Sequence, residues 1–401
     1  MKIAITGASG FVGKQLVPLL DASGATLLLV GRNPAKLTDL FPGIPVCNYS
    51  QLQEMAAGYD LLLHLAALNN DQNASLDQFR AVNVDMLLDT FARAREAGIK
   101  QFVDISSIRA LDPKDHSPYA QSKREGTEAL AAVTGPRCFT IYLPLVYSGQ
   151  WSGKLAFLNT LPRPLAKSLF SVLKALKPTV NIAKLGAFLI DGGPSESRTV
   201  ISDTQRQNWF FGFTKRTIDL AFAVVVALFF WWLGLLIWIA VRLSSTGPGL
   251  FAQERVGRDG RTFVCYKFRT MKIGTAQLGT HEISTSAVTP LGAFLRRTKL
   301  DELPQIWNIL RNEISLIGPR PCLPVQTALV AARQRRGVLA LTPGITGLAQ
   351  VNGIDMSDPE LLAEWDARYC ASQSLLLDLR IALATAAGGG HGDRVRQETA
   401  G

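Results

Sequence analysis

Residues 2–13 read Lys2-Ile3-Ala4-Ile5-Thr6-Gly7-Ala8-Ser9-Gly10-Phe11-Val12-Gly13, a short apolar strand that runs through a glycine turn into a helical pattern reaching Leu20. That order predicts the opening unit of a parallel α/β sheet. Glycines let backbone amides approach an anion, and the unpaired amides of a helix N-terminus attract it. A glycine triplet alone is a weak signal. Its place at the first strand-to-helix junction makes Gly7, Gly10 and Gly13 candidates for a nucleotide cofactor's pyrophosphate.

Outward from this stretch the alternation continues, with strands over 26–30, 61–66 and 101–105 and helices over 84–97 and 126–132. This is the rhythm of a doubly wound parallel sheet. The second strand ends in Gly31-Arg32, where an NAD-selecting fold usually offers an acid to the ribose hydroxyls. Arg32 either meets the 2′-phosphate of NADP or is a solvated strand-end arginine, so the cofactor reads as NADP(H) or NAD(H). After the strand ending at Ile105 come Ser106-Ser107 and then Tyr119-Ala120-Gln121-Ser122-Lys123. A Tyr and a Lys four apart share a helical face, so the ammonium can assist proton donation by Tyr119 and hold a ribose, while Ser107 polarises a carbonyl or alcohol.

The length of 401 residues predicts two domains, and the 47% hydrophobic content is concentrated at 220–241. A formal net charge of +10, with many basic residues after Lys215, favours a membrane surface and phosphate-bearing substrates over nucleic acid, for which no module signature is present. Five dispersed cysteines suggest neither a disulfide framework nor a zinc site and fit a reducing cytosol. The chain starts directly in a strand without signal-peptide sections, so the first domain is expected to stay inside.

The 22 uncharged residues 220–241 are long enough to cross a membrane. Basic residues flank both ends, however: Lys215 and Arg216 before, Arg242, Arg255, Arg258 and Arg261 after. A spanning helix cannot place both flanks inside. A helix bent near Phe230-Trp231-Trp232-Leu233-Gly234 would enter and leave one leaflet.

Beyond the run stand Gln253-Glu254-Arg255-Val256-Gly257, Lys267-Phe268-Arg269-Thr270-Met271, Leu295-Arg296-Arg297-Thr298-Lys299-Leu300-Asp301-Glu302-Leu303-Pro304-Gln305, Gly318-Pro319-Arg320-Pro321 and, within 342–353, Leu348-Ala349-Gln350-Val351-Asn352-Gly353. Asp301 can attack phosphorus while Glu302 helps hold a divalent metal, and Lys267, Arg269, Arg296 and Arg320 can contact phosphate oxygens. An Asp-Glu pair taken alone reads rather as the acidic first turn of a helix.

Together the first set, Gly7, Gly10, Gly13, Ala66-Ala67, Asn83, Ser107, Tyr119 and Lys123, resembles the extended short-chain dehydrogenase/reductase family of nucleotide-sugar epimerases, dehydratases and reductases. The run Ser106-Ser107-Ile108-Arg109 looks most like its 4-ketoreductases. The resemblance implies that Asn83 and Lys123 join the glycines at the cofactor. From Lys215 to about Ile381 the ordered motifs resemble the bacterial sugar transferase family, the monotopic phosphoglycosyl transferases. That resemblance implies a covalent phosphosugar intermediate on Asp301 with release of UMP, Glu302 and Mg2+ assisting, and undecaprenyl phosphate as acceptor. The family breaks its re-entrant helix at a Ser-Pro pair, and Trp231-Trp232 stands there in this sequence.

The reading that follows has an NAD(P)-binding Rossmann-like domain at 1–205, a re-entrant helix at 215–244, a small α/β transferase domain at 245–383 with Asp301 and Glu302 as metal ligands, and a disordered tail at 384–401. The N-terminal domain would reduce or epimerise a UDP-sugar, an N-acetylated 6-deoxyhexosamine, that the transferase loads onto the lipid. Two rivals remain: a catalytically idle N-terminal domain, and a non-catalytic membrane assembly protein. Partners would be a UDP-sugar, undecaprenyl phosphate and the bacterial inner membrane, with both domains facing the cytoplasm, no nucleic acid, and a homo-oligomer left open.

Overall fold

The computed structural model describes residues 1–149, 151, 153–275 and 287–389. The chain forms two compact units, one of residues 1–170 and 178–203, the other of residues 171–177 and those from 204 onward.

In the first unit the elements run β1 (Lys2–Thr6), α1 (Phe11–Ala22), β2 (Thr26–Val30), α2 (Pro34–Leu40), β3 (Val46–Cys47), α3 (Leu52–Met55), β4 (Leu61–His64), α4 (Leu76–Arg80), α5 (Met86–Glu96), β5 (Gln101–Ser107), α6 (Pro118–Ala132), β6 (Arg137–Leu143), β7 (Leu145–Tyr147), α7 (Arg163–Leu176, which ends in the second unit), β8 (Thr179–Asn181), α8 (Ile182–Ile190) and β9 (Arg198–Val200). Seven strands pair in parallel in the order β3-β2-β1-β4-β5-β6-β9. Their alternate residues are buried on both faces. Ile3, Ile5, Leu29, Leu63 and Val103 pack with Leu16 and Leu20 of α1 and Leu185 of α8, while Ala4, Leu28, Leu62 and Phe102 meet Leu52 of α3 and Phe91 of α5. Burial on both faces explains the nearly unbroken apolar strands.

Local chemistry shifts several boundaries. β4 ends at His64, short of the expected Ala66. The helix expected over 84–97 opens as a wide turn at Ala81–Asp85 before α5. α6 begins at Pro118, because Pro suits the first helical position and the Ser117 hydroxyl accepts from the Ala120 amide at 3.3 Å.

The second unit contains α9 (Trp209–Ser244), β10 (Leu250–Val256), β11 (Thr262–Phe268), α10 (Pro290–Thr298), α11 (Ile306–Leu310), β12 (Ser315–Ile317), α12 (Thr327–Arg335), β13 (Gly344–Thr346), α13 (Leu348–Val351), α14 (Pro359–Ser372) and α15 (Leu375–Ala386). β10 and β11 form an antiparallel hairpin, and β12 and β13 a short parallel pair. Helix α15 carries ordered structure past 384, where a tail was expected; residues 390–401 lie outside the described residues.

The apolar run belongs to a single helix of 36 residues that starts six residues before Lys215. At about 1.5 Å per residue it is roughly 54 Å long, more than a hydrocarbon core of about 30 Å needs. The expected bend is therefore not an interruption of the helix: no proline removes a backbone bond at Trp231-Trp232 or Gly234, and helical structure continues through them. At this point the Trp232 indole donates to the Phe229 carbonyl at 2.8 Å.

Both flanks of the run are fastened to the second unit. Lys215 Nζ donates to the Ile317 carbonyl at 2.9 Å and to Asp378 at 2.6 Å, Arg216 to the carbonyls of Ile309 and Leu310, and Asp219 accepts from the Ser315 hydroxyl and the Leu316 amide. At the other flank Ile237 and Val241 pack with Phe268 and Leu295. Between them Leu228, Phe229, Phe230, Trp231 and Trp232 are all exposed, and only 11% of the most apolar stretch is buried. So large an exposed apolar surface is the mark of an interaction face, and its length and composition suit a membrane.

Candidate active sites

In the second unit the two carboxylates sit on the tight turn Leu300–Gln305 between α10 and α11. The turn is aimed by its surroundings. Lys299 adopts a left-handed conformation, φ 58°, that ends α10, and a Cβ at Gly292 would lie 2.1 Å from the Thr270 carbonyl oxygen, so only glycine lets α10 seat against that backbone.

Glu302 is held from two sides, accepting from Lys267 Nζ at 2.9 Å and from Arg320 Nη2 at 3.1 Å on the same oxygen. Asp301 is 7% exposed and makes no hydrogen bond or ion pair among the described residues. Burial pushes its carboxyl up to about 6; Lys267 opposes that rise, Glu302 adds to it, and Arg296 and Arg320 oppose it. Arg296 donates through Nε to the Thr270 hydroxyl at 3.1 Å, and its buried Nη1 has no partner among the described residues. An unpaired buried guanidinium nitrogen near a carboxylate is a place for an incoming anion.

Arg269 is a correction. Its guanidinium donates to the carbonyls of Val241, Ser245 and Thr246 and to the Ser245 hydroxyl, so it caps the open C-terminal end of α9 instead of facing phosphate. Alternation alone would put Arg269 on the face of Lys267, but β11 ends at Phe268 and the residue beyond it meets the helix end. Among the described residues no group of three His, Cys, Asp or Glu could hold a metal ion. Asp301 and Glu302 nevertheless fit magnesium, which takes one or two carboxylates and completes its shell with water and substrate phosphate.

In the first unit Gly7 has φ 71°, and a Cβ there would come within 2.5 Å of the Ala66 nitrogen; at Gly13 it would lie 2.5 Å from the Ala8 oxygen. α1 has no side-chain cap, so its first amides are left for a ligand. This cradle fits a dinucleotide. Arg32 is exposed at the end of β2.

Ser107 ends β5, and its hydroxyl accepts from the Arg109 amide at 3.3 Å. Tyr119 and Lys123 lie one turn apart on α6, with Lys123 Nζ donating to the Ile105 carbonyl at 3.1 Å. The Arg109 guanidinium lies 5.9 Å from the Tyr119 ring centre, an interaction that spacing along the chain did not suggest. Asn83 accepts from the Leu68 amide at 2.9 Å and donates to Ser122 at 3.0 Å, which ties the loop after β4 to α6. Sequence reading also missed His64, which burial, with Lys123 nearby, lowers to about 3, and the buried Asp104 beside it in the sheet, which burial raises.

Residues 210–389 match the model of the family described as bacterial sugar transferase, and residues 3–155 that of the NAD dependent epimerase/dehydratase family. The chain thus matches the first family over its C-terminal part and the second over its N-terminal part. The transferase segment is similar to the UDP-glucose:undecaprenyl-phosphate glucose-1-phosphate transferase of Xanthomonas campestris pv. campestris, 38% identical over 193 residues that cover 45% of this chain and 39% of that protein. It is also similar to the UDP-galactose-lipid carrier transferase of Erwinia amylovora, 36% identical over 43% of this chain and 39% of that protein. The chain thus spans about two fifths of the length of these relatives. The epimerase/dehydratase segment is similar to the solved UDP-N-acetylglucosamine 4-epimerase from Bacillus cereus, at 15% identity and a TM-score of 0.39, covering 51% of this chain and 78% of that one.

Proposed function

We propose that the segment 245–383 transfers a sugar phosphate from a UDP-sugar to undecaprenyl phosphate with release of UMP. The observation that carries this reading is the contrast between Glu302, neutralised by Lys267 and Arg320, and its neighbour Asp301, buried without a partner. A carboxylate free of cation contacts keeps its electron pair for attack on the β-phosphorus facing the sugar. The bond formed is Asp301 Oδ to phosphorus, and the pyrophosphate bridge breaks with UMP as leaving group. The lipid phosphate oxygen then displaces Asp301 and regenerates the carboxylate. Lys267, Arg296 and Arg320 balance the pyrophosphate charge, and magnesium held by Glu302 would supply further neutralisation of that charge.

The 215–244 stretch reads as a re-entrant membrane helix, because both of its flanks bond to one folded unit that cannot lie on both sides of a bilayer. With that topology both domains face the cytoplasm of the bacterial inner membrane. Residues 1–205 read as an NADP(H)- or NAD(H)-dependent 4-ketoreductase or epimerase that supplies an N-acetylated 6-deoxyhexosamine on UDP. The nicotinamide would carry the hydride, Tyr119 the proton, and Ser107 would orient the sugar carbonyl. An idle, nucleotide-sugar-binding first domain is the alternative. A panel of UDP-sugars, with and without NADPH, tests both domains: UMP release supports the transferase, cofactor oxidation with a keto sugar supports the reductase, and silence in either assay removes that half.

A further inference from the structure

Around the Gly318-Pro319-Arg320-Pro321 loop four successive backbone carbonyls, from Pro319 to Cys322, are fastened. The Pro319 carbonyl accepts from the Gly344 amide at 2.9 Å, the Arg320 carbonyl from Arg333 Nη1 at 2.9 Å, the Pro321 carbonyl from Arg255 Nη1 at 3.0 Å, and the Cys322 carbonyl from the Val256 amide at 2.8 Å. Two of the four donors are side chains from elements remote in sequence. Arg333 is 3% exposed, and its Nε and Nη2 donate to one oxygen of Asp366 at 2.9 Å and 2.7 Å. Its charge is thereby matched inside the protein, so the third arm of the fork serves the Arg320 backbone and not a substrate phosphate. α12 and α14, which carry Arg333 and Asp366, are packed together through Leu329, Ala332, Leu362 and Ala363.

We propose that Arg333, set by Asp366, is a positioning residue for phosphosugar transfer: it fixes the backbone from which the Arg320 guanidinium reaches Glu302 and the pyrophosphate. Arg255 from β10 clamps the next carbonyl and acts in the same way. The inference rests on the transfer reading above. Its physical basis is geometric. A planar guanidinium with two arms on a carboxylate has its remaining arm aimed, whereas a lysine ammonium is a point charge without that fork. Displacing a charge-bearing loop by about 1 Å costs up to about a hundredfold in rate.

The rival explanation is that Arg333 and Asp366 only hold the fold together, as buried ion pairs do. A double-mutant cycle in the full-length, detergent-solubilised protein separates the two. UMP release is followed with a UDP-sugar that wild type accepts. We expect Arg333→Lys to lower kcat/KM for the UDP-sugar about tenfold, with KM for the polyprenyl phosphate kept within about twofold. In an Arg320→Lys background the same change should alter the rate by less than about twofold, because the group being positioned has already lost its fork. Should Arg333→Lys fail to fold, Arg255→Lys with Arg320→Lys provides the same cycle. Equal losses in both backgrounds, or an Arg333→Lys enzyme with wild-type constants, would overturn the positioning role. A wild-type protein that releases no UMP from any UDP-sugar would instead overturn the transfer reading beneath it.

Discussion

Asp301 and Glu302 are adjacent in the chain and opposite in their surroundings: Glu302 shares one oxygen between Lys267 and Arg320, while Asp301 is buried beside it without a bond. The tight turn Leu300–Gln305 causes the difference, since it sends one side chain toward β11 and the Arg320 loop and leaves the other buried without a bond, within the electrostatic reach of Arg296. Two carboxyls of the same chemistry thus acquire separate roles from their environments.

Asp301→Asn should abolish UMP turnover and, at the same time, stabilise the protein. The carboxyl is raised from 3.8 to about 6 by folding, so the folded state binds its proton more tightly. That stability is present below the ordinary value and is lost as pH rises through about 6, a cost on the order of 3 kcal/mol at neutral pH. We expect a higher Tm than wild type at pH 7.5, the gain disappearing near pH 4. Wild type incubated with UDP-sugar and magnesium should carry a phosphosugar mass that the variant lacks; full activity in the variant would remove the nucleophile assignment.

The same shift predicts the pH profile. Attack requires the ionised form, so kcat/KM should fall about tenfold per pH unit below about 6 and level off above it. Lys267→Met removes a cation that favours the carboxylate, and the acid limb should move to higher pH. A limb that stays in place would show that another group sets it.

Much of this was legible in the sequence for a physical reason: the parallel sheet and the glycine turn are written in local patterns, as Lys2–Thr6 and Gly7 show. Asp301 and Glu302 were equally legible as residue types, but their unequal environments were not, because Lys267 and Arg320 reach Glu302 from distant positions in the chain. Arg269 was misjudged for a related reason. It is a polar residue in a motif position whose partner, the end of α9, comes together with it only in the fold. Arg333 and Asp366 lie 33 residues apart with no motif to link them.

Arg269→Met should destabilise the protein by about 2–4 kcal/mol, since buried carbonyls at the end of α9 lose their donor. Its effect on catalysis should be a smaller active fraction with unchanged KM for the UDP-sugar. A large rise in KM with unchanged Tm would return Arg269 to the phosphate site.

The proposed re-entrant topology predicts that cysteines placed at Thr214 and Thr246 are both protected from an impermeant thiol reagent in intact cells, and both react after permeabilisation. Labelling of one position from outside would mean that the helix spans.

The first unit should prefer NADP(H) to NAD(H), because the exposed Arg32 stands at the end of β2 and can pair with a 2′-phosphate, where an acidic residue would repel it. Arg32→Ala should lose the preference, read as the ratio of the two dissociation constants, while keeping the affinity for NADH. Equal affinities in wild type would remove the argument from Arg32. The catalytic claim is tested separately. Tyr119 is held between the Phe79 edge and the Arg109 guanidinium, so Tyr119→Phe should keep the ring in place and lose only the hydroxyl. If Tyr119 gives the proton, the variant should lose reduction of a 4-keto UDP-6-deoxy-N-acetylhexosamine by about a hundredfold or more while still binding NADPH and still releasing UMP from a ready-made UDP-sugar. Tight NADPH binding with no reduction across a panel of keto sugars, in wild type as in the variant, would make the first domain a sensor of nucleotide sugar and leave the transferase as the chain's single catalyst.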